Sequence, residues 1–139
     1  MVTSNDCLKK YGAPSESNPC LVVWNIPREL QVSVVPKRVF INKDMIEPLT
    51  NAIKNLIDRK HILEMKTWDG CFNIRKKREL TTWSLHSWAI AVDVNAFENG
   101  LNMEPKLSKE FVQCFLDAGF EWGGTWHRKD GMHFQLAKI

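Results

Sequence analysis

The segment IAVDVN, residues 90–95, alternates apolar and polar side chains, and this pattern constrains the fold more than any other in the chain. Alternation with a period of two residues is typical of a β-strand that buries one face. It places Ile90, Val92 and Val94 on one face and Asp93 on the other. Asp93 is therefore predicted to point away from the core.

The end of the chain repeats this alternation. Met132, Phe134 and Leu136 form an apolar face, while His133 and Gln135 lie on the opposite face. The pattern predicts a second half-buried strand. Its polar face carries a histidine, just as the polar face of the first strand carries an aspartate.

The shorter run CFNIR alternates in the same way and predicts a third strand. Phe72 and Ile74 would face the core, and Arg75 would lie on the opposite side. If the three strands are neighbours, Arg75 shares one polar face of the sheet with Asp93 and His133. A functional site built on a sheet has this form.

Two segments show the apolar spacing of amphipathic helices. The first covers residues 46–57, where Asn42 or Asp44 is available as an N-cap, and predicts a helix of about four turns. The second begins at Ser108 and stops near Gly119, which suits a helix C-terminus. Strands between and after helices favour an α+β fold with an antiparallel sheet.

The length of 139 residues suits one domain, and 44% hydrophobic with 25% charged residues is ordinary for a globular protein. Residues 1–41 contain several prolines between short apolar runs, which favours loops and short edge strands over helix. We expect a single domain over residues 1–139, with a loop-rich N-terminal wrap (1–41) and a catalytic core (42–139). The core would be a central antiparallel sheet with helices packed on one side and the site on the opposite polar face.

Charge, cysteine spacing and hydropathy give only weak information about the function of the chain. The net charge of +3 favours anionic polymers weakly, but no nucleic-acid recognition motif accompanies it, so no nucleic-acid partner is expected. The four cysteines are widely spread and are interpreted as free thiols. No apolar run has the length of a signal peptide or a membrane span, so we expect no membrane insertion.

His86 extends the polar pair on the strands to a possible metal site. It lies seven residues before Asp93, in the segment SLHSW, and a turn there would bring its imidazole back over the strand. Two histidines and one aspartate, here with His133, form a three-ligand catalytic zinc set that leaves a fourth position for water. For one histidine alone, a structural hydrogen-bonded role is the commoner one. The combination predicts a single bound Zn²⁺.

Asp130 lies three residues before His133, where the chain still turns towards the last strand. A carboxylate there can act as general base beside the metal. The same Asp-Gly pair is also an ordinary turn sequence. Among the six tryptophans, Trp88 and Trp126 lie near these residues and suit the walls of a cleft, although a core position is the commoner role for each.

Two separated motifs resemble one enzyme family. Residues 84–93, SLHSWAIAVD, resemble the SxHxxGxAxD signature of the zinc D-alanyl-D-alanine carboxypeptidases and their phage L-alanyl-D-glutamate endopeptidase relatives. The closing DGMHF resembles the second signature of that family, an acid three residues before the last zinc-binding histidine. Together with WDGCFNIR and GFEWGGTW, the resemblance covers roughly residues 40–139.

The resemblance implies a role for each matching position. Zinc would be held by His86, Asp93 and His133, with Asp130 as the catalytic carboxylate. The arginine that stabilises the oxyanion would be Arg75, with Arg78 as the alternative, and Ser84, Trp88 and Trp126 are expected to contact substrate. The chain departs from the family pattern at Ala89, where the signature has glycine, and at Asp130, where many carboxypeptidases have Glu. The Asp favours the endopeptidase branch.

The function implied is a zinc metallopeptidase that hydrolyses peptide bonds in bacterial peptidoglycan, in the manner of a phage endolysin. We expect a monomer that stays in the host cytoplasm until it is released to the cell wall, or that is carried in the virion. The alternative is a non-catalytic, zinc-stabilised module that binds wall peptides or a protein. The choice among the L-Ala–D-Glu, D-Ala–diaminopimelate and D-Ala–D-Ala bonds stays open.

Overall fold

Three α-helices and two antiparallel sheets make up the fold of the computed structural model, which describes residues 1–139. The helices are α1 (Ser4–Tyr11), α2 (Ile46–Asp58) and α3 (Lys109–Leu116). The strands are β1 (Leu21–Asn25), β2 (Arg38–Asn42), β3 (Trp68–Gly70), β4 (Ala91–Val94), β5 (Phe120–Trp122) and β6 (His133–Leu136). No helix is both long and apolar enough to cross a membrane.

The larger sheet has the strand order β3-β4-β6-β5, and every neighbouring pair is antiparallel. Val92 lies opposite Phe134 in the β4–β6 pair, and both side chains are fully buried. On the same side, Phe115 of α3 stacks on Phe134 with ring centroids 4.1 Å apart. Helix α2 packs against α3, so both helices lie over the apolar face. The predicted α+β fold, with helices on one side of an antiparallel sheet, is confirmed.

Both predicted helices form, and predicted caps lie at the start of α3 and of the 3₁₀ turn before α2, although α2 itself follows Met45 without a side-chain cap. The Asn42 side chain accepts a hydrogen bond from Asp44 N at 2.9 Å, at the start of the short 3₁₀ turn that leads into α2. Ser108 Oγ accepts a hydrogen bond from Phe111 N at 3.1 Å at the start of α3. Gly119, with φ +100°, follows α3 and turns the chain into β5.

The N-terminal region contains the predicted edge strands and one helix that was not predicted. Strands β1 and β2 form a two-stranded sheet. The expectation of loops in place of helix is wrong for α1, whose capping box joins Thr3 and Asp6. Thr3 Oγ1 accepts from Asp6 N at 3.1 Å, and Asp6 Oδ2 accepts from Thr3 N at 2.8 Å.

The strand predicted over residues 71–75 does not form. Strand β3 ends at Gly70, whose φ of +122° turns the chain out of the sheet. Cys71 then becomes buried and Ile74 becomes exposed, the reverse of the predicted alternation. The chain instead turns towards His86, since Asn73 N donates a hydrogen bond to His86 O at 3.1 Å.

Helix α1 is joined to the side of the larger sheet that faces away from α2 and α3. The indole Nε1 of Trp88 donates to Gly12 O at 2.8 Å, just after α1 ends. The Gln135 amide of β6 makes a long hydrogen bond of 3.5 Å to Val2 O, just before α1 begins. The N-terminal region therefore contacts the elements that carry the predicted site.

Candidate metal centre

Strands β4 and β6 bring the predicted aspartate and the last histidine side by side. Asp93 is paired directly with His133 in the antiparallel register. Residues opposite each other in such a pair project to the same face of the sheet. Since Val92 and Phe134 occupy the apolar face, Asp93 and His133 lie on the opposite face, as the alternation predicts.

His86 reaches this face through a short 3₁₀ helix, Leu85–Trp88. Ser84 caps the helix, since its Oγ accepts a hydrogen bond from His86 N at 3.3 Å. Ala89 closes the helix in the left-handed conformation, with φ 51° and ψ 38°. The chain then enters β4, and the His86 ring comes to lie 5.1 Å from the His133 ring between centroids.

The three side chains converge on one point. Asp93 Oδ1 lies 3.1 Å from His86 Nε2 and 3.2 Å from His133 Nδ1. In a tetrahedral zinc site with bonds of about 2.0–2.1 Å, neighbouring ligand atoms lie about 3.3–3.4 Å apart. All three potential ligand atoms lie within 4.8 Å of one another, so these residues can hold one metal ion.

His86 Nε2 gives a direct test of whether a metal fits. The other ring nitrogen, Nδ1, is 2.8 Å from Cys71 O, which acts as the hydrogen-bond acceptor. That bond places the proton on Nδ1 and leaves a lone pair on Nε2. Nε2 is buried and makes no hydrogen bond, despite its closeness to Asp93. A buried nitrogen lone pair without a donor suits a metal ligand.

The electrostatics of the cluster keep Asp93 ionised. Burial by itself would raise the pKa of Asp93. The hydrogen bond with His133 and the nearby imidazole of His86 outweigh burial and hold the pKa below the ordinary value for aspartate. Metal ligands must be deprotonated to bind, so the carboxylate is in the ligand form at neutral pH.

Asp130 lies in the loop before β6, half-buried, and its backbone oxygen accepts a hydrogen bond from His133 N at 3.1 Å. Burial raises the pKa of its carboxyl above the ordinary value, and the Asp93 carboxylate acts in the same direction, although the charge of His133 opposes them. A carboxylate of raised pKa is a better proton acceptor. The placement therefore suits the predicted general base.

Arg75 is exposed and lies outside any strand, so the structure gives it a different position from the one predicted. Its backbone N donates to Ser87 Oγ at 3.2 Å, and this bond holds it beside the 3₁₀ helix. The Arg75 charge acts to lower the pKa of Asp130, so the guanidinium lies within electrostatic reach of that carboxylate. Arg78, the alternative, is also exposed, and its backbone oxygen accepts a hydrogen bond from Arg128 at 2.9 Å.

The three residues predicted to contact substrate differ in their exposure to solvent. Trp88 is 1% exposed and its indole is engaged with Gly12, so the expectation that it forms a wall of the cleft is wrong. Ser84 is buried and acts as a helix cap, and a further contact with substrate stays a prediction. The Trp126 ring is 5.5 Å from the His133 ring between centroids and is partly exposed, so a role as cleft wall stays a prediction for it.

Two groups next to the cluster were not predicted. Gln135 Oε1 is 3.0 Å from His133 Nε2, within hydrogen-bond distance, and as a carbonyl oxygen it can only accept. The alternation already put Gln135 on the polar face two residues after a ligand, so a signal for it was present. The Cys71 carbonyl that holds His86 is a backbone group, and no side-chain pattern identifies such a partner.

A family model described as D-alanyl-D-alanine carboxypeptidase matches residues 78–136. That span contains the three residues of the cluster and Asp130, but not Arg75. No curated protein and no solved structure matches the chain. The family match and the metal-competent cluster together support a relation to this peptidase family and a hydrolase of the metallopeptidase type.

Proposed function

We propose that the chain is a zinc metallopeptidase that hydrolyses peptide bonds in bacterial peptidoglycan. The observation that carries the proposal is the convergence of His86 Nε2, Asp93 Oδ1 and His133 Nδ1, with Nε2 buried and without a hydrogen bond. Two imidazoles and one carboxylate favour zinc over calcium or magnesium, which prefer oxygen ligands alone. A zinc ion held by these three residues would supply Lewis-acid chemistry to the reacting water and carbonyl group.

Asp130 is proposed as the residue that moves the proton. It takes a proton from the attacking water as the new C–O bond forms, and it gives that proton to the amine nitrogen as the peptide C–N bond breaks. Its raised pKa suits both steps, since the carboxyl must first accept and then release the proton. Water is thereby added across the peptide bond, and Asp130 returns to its starting form.

Arg75 and Trp126 are proposed to act on the substrate. The guanidinium of Arg75 would stabilise negative charge on the carbonyl oxygen of the scissile bond. Trp126 would shield the reacting bond from bulk water beside His133. The role of Trp126 is supported by its ring, 5.5 Å from the His133 ring, and that of Arg75 by the hydrogen bond from its backbone N to Ser87 Oγ, in the 3₁₀ helix of His86.

The substrate class is supported by the described activity of the matching family and by the two sequence motifs. We propose an endopeptidase that cuts stem or cross-link peptides, because Asp130 stands where many carboxypeptidases have Glu. We further propose that the protein works as a phage endolysin, held in the host cytoplasm until it reaches the wall. Mass spectrometry of digested muropeptides identifies the bond that is cut.

The test of this proposal is the substitution Asp130→Asn. Zinc content should stay at one ion per chain, while hydrolysis of purified peptidoglycan falls by about 10²- to 10⁴-fold, the usual range for loss of a general base. Asp58→Asn is the matched control, since Asp58 is the exposed last residue of α2. Its zinc content and hydrolysis should equal those of the wild type.

Two results would contradict the assignment. Loss of bound zinc in Asp130→Asn would mean that Asp130 is a ligand and not the base. A wild-type protein that binds zinc and wall peptides without hydrolysing them would be the non-catalytic binding module instead.

A further inference from the structure

The two histidines of the cluster present different ring nitrogens, and different groups hold them in place. His86 presents Nε2 because its Nδ1 is bound to the backbone oxygen of Cys71. His133 presents Nδ1, and its Nε2 faces Gln135 Oε1 at 3.0 Å. One histidine is therefore held by the backbone, and the other by a single side chain.

The contact with Gln135 favours one tautomer of neutral His133. A neutral imidazole carries one proton, and an acceptor at Nε2 draws the proton to that nitrogen. In the neutral ring that a metal requires, the lone pair then lies on Nδ1, the nitrogen 3.2 Å from Asp93 Oδ1. Both ring nitrogens of His133 are buried with the side chain, so water does not replace Gln135 as acceptor.

An amide can also turn its NH₂ group towards the histidine, and the N-terminal region opposes this orientation. Gln135 Nε2 donates to Val2 O at 3.5 Å. This hydrogen bond is long, but a carbonyl oxygen only accepts, so it favours the orientation in which the amide nitrogen faces Val2. Gln135 Oε1 is then left to face His133. Gln135 is itself 2% exposed, so its amide has few other partners.

We propose that Gln135 is a positioning residue for the metal centre. It accepts the Nε2 proton of His133, fixes the tautomer that presents Nδ1, and holds the ring in the plane needed for coordination. Residues just before α1 take part through Val2 O, so the N-terminal region contributes to a site that lies more than eighty residues away. The inference rests on the proposed zinc site, but it does not require peptidase activity.

The experiment compares wild type with Gln135→Met, which keeps a side chain of similar size but removes the acceptor. Zinc affinity is measured by competition with a chromogenic chelator. The imidazole N–H signals of the zinc-loaded protein are recorded by nitrogen-edited NMR. Wild type should show two slowly exchanging imidazole N–H signals from the site, one from His86 Nδ1 and one from His133 Nε2.

In Gln135→Met, zinc affinity should fall about 10- to 100-fold, the range seen when an outer-shell partner is removed. The His133 N–H signal should shift upfield and exchange rapidly, while the His86 signal stays, because Cys71 O is untouched. Gln31→Met is the control. The Gln31 side chain lies away from the site and donates a 2.9 Å hydrogen bond to Ile26 O. That variant should keep both signals and wild-type zinc affinity.

The proposal is overturned if Gln135→Met keeps wild-type zinc affinity, or if the His133 N–H signal is unaffected by the change. A wild-type protein in which His133 binds zinc through Nε2 would also overturn it. Failure of the proposed peptidase function would give a different set of results. In that case wild type gives the two N–H signals and tight zinc binding, but it does not hydrolyse peptidoglycan.

Discussion

Ala89 is one of six non-glycine residues with a positive φ, and it lies between two of the predicted metal ligands, His86 and Asp93. With φ 51° and ψ 38° it is left-handed, and it is also fully buried. The left-handed conformation costs a residue with a Cβ roughly 1–2 kcal/mol and costs glycine almost nothing. The turn at Ala89 redirects the chain from the 3₁₀ helix of His86 into the strand of Asp93. The related family signature has glycine at this position, and the structure shows the physical reason.

Substitution of Ala89 by glycine should therefore be tolerated. Relief of the left-handed backbone offsets the lost burial of one methyl group, about 0.8 kcal/mol. We expect the free energy of unfolding to stay within about 1 kcal/mol of wild type. Ala52→Gly is the matched control, since Ala52 is equally buried but lies inside α2, where glycine costs roughly 1 kcal/mol more than alanine in addition to the lost methyl. Equal destabilisation of both variants in urea titrations would contradict strain at Ala89.

The four cysteines are free thiols, as the sequence predicts, and all four are buried. Burial raises the pKa of the Cys7 thiol to about 12. At pH 8 a thiol with that pKa is ionised in about one molecule in 10⁴, and only the thiolate reacts with disulfide reagents. Native protein should show no rapidly reacting thiol with Ellman's reagent, and unfolded protein should show four. Rapid reaction of one thiol in the native state would disagree with the buried positions.

For single residues, the sequence predicts which face of a strand a side chain occupies better than it predicts which atoms that side chain contacts. The faces of Asp93 and His133 follow from local alternation, and the strand pairing confirms them. The environment of His86 does not follow from sequence, because its partner is the backbone oxygen of Cys71. The prediction that Trp88 forms a cleft wall is wrong because its side chain is buried in the core. Closeness in sequence to a predicted ligand does not decide whether a large side chain faces the solvent or the core.

Among the elements, the loop between β5 and β6 matters most for the proposed chemistry, because it carries Asp130, the proposed general base. Asp130 N donates to Gly123 O at 2.9 Å. A Cβ at Gly123 would lie 2.5 Å from Asp130 O, so only glycine fits there. Trp122 Nε1 donates to Gly131 O at 2.7 Å and holds the loop from the other side. The backbone at Asp130 and Gly131 is thus fixed at two neighbouring points.

Trp122→Phe should loosen this loop, because it removes the hydrogen bond to Gly131 and keeps an aromatic ring. We expect a loss of about 1 kcal/mol in stability and a fall in kcat of about 10- to 100-fold, with zinc affinity unchanged. Trp24→Phe is the control, since Trp24 is buried in β1, away from the loop. It should lower stability without lowering kcat. A wild-type kcat in Trp122→Phe would show that the loop needs no such support.

Element prediction succeeds where a segment is long or periodic. Helix α2 has 13 residues, and its apolar spacing identifies it. Helix α1 has eight residues with only Ser4 and Cys7 buried, too few to show a period, although the Thr3–Asp6 capping box marks its start. The run CFNIR has a strand-like alternation, but Gly70 turns the chain away from the sheet before the run begins.

Across the whole molecule, the core and the candidate site lie on opposite faces of one sheet. The apolar face, with Val92 and Phe134, packs under α2 and α3. The polar face carries Asp93 and His133, and the segment around His86 closes over it. A metal ion held by these residues would therefore add to a fold that has its own core. The strand order β3-β4-β6-β5 joins segments far apart in the chain, and residue periodicity carries no information on that pairing.

The most direct test of the zinc peptidase account is hydrolysis of purified peptidoglycan before chelation, after chelation and after return of zinc. Muropeptides are identified by mass spectrometry, and the fold is followed by circular dichroism. The account predicts that chelated protein stays folded, because the core is separate from the site, and loses hydrolysis. One equivalent of zinc should restore it in wild type but not in His86→Ala. Full hydrolysis by the metal-free protein, or none by the zinc-loaded protein, would contradict the account.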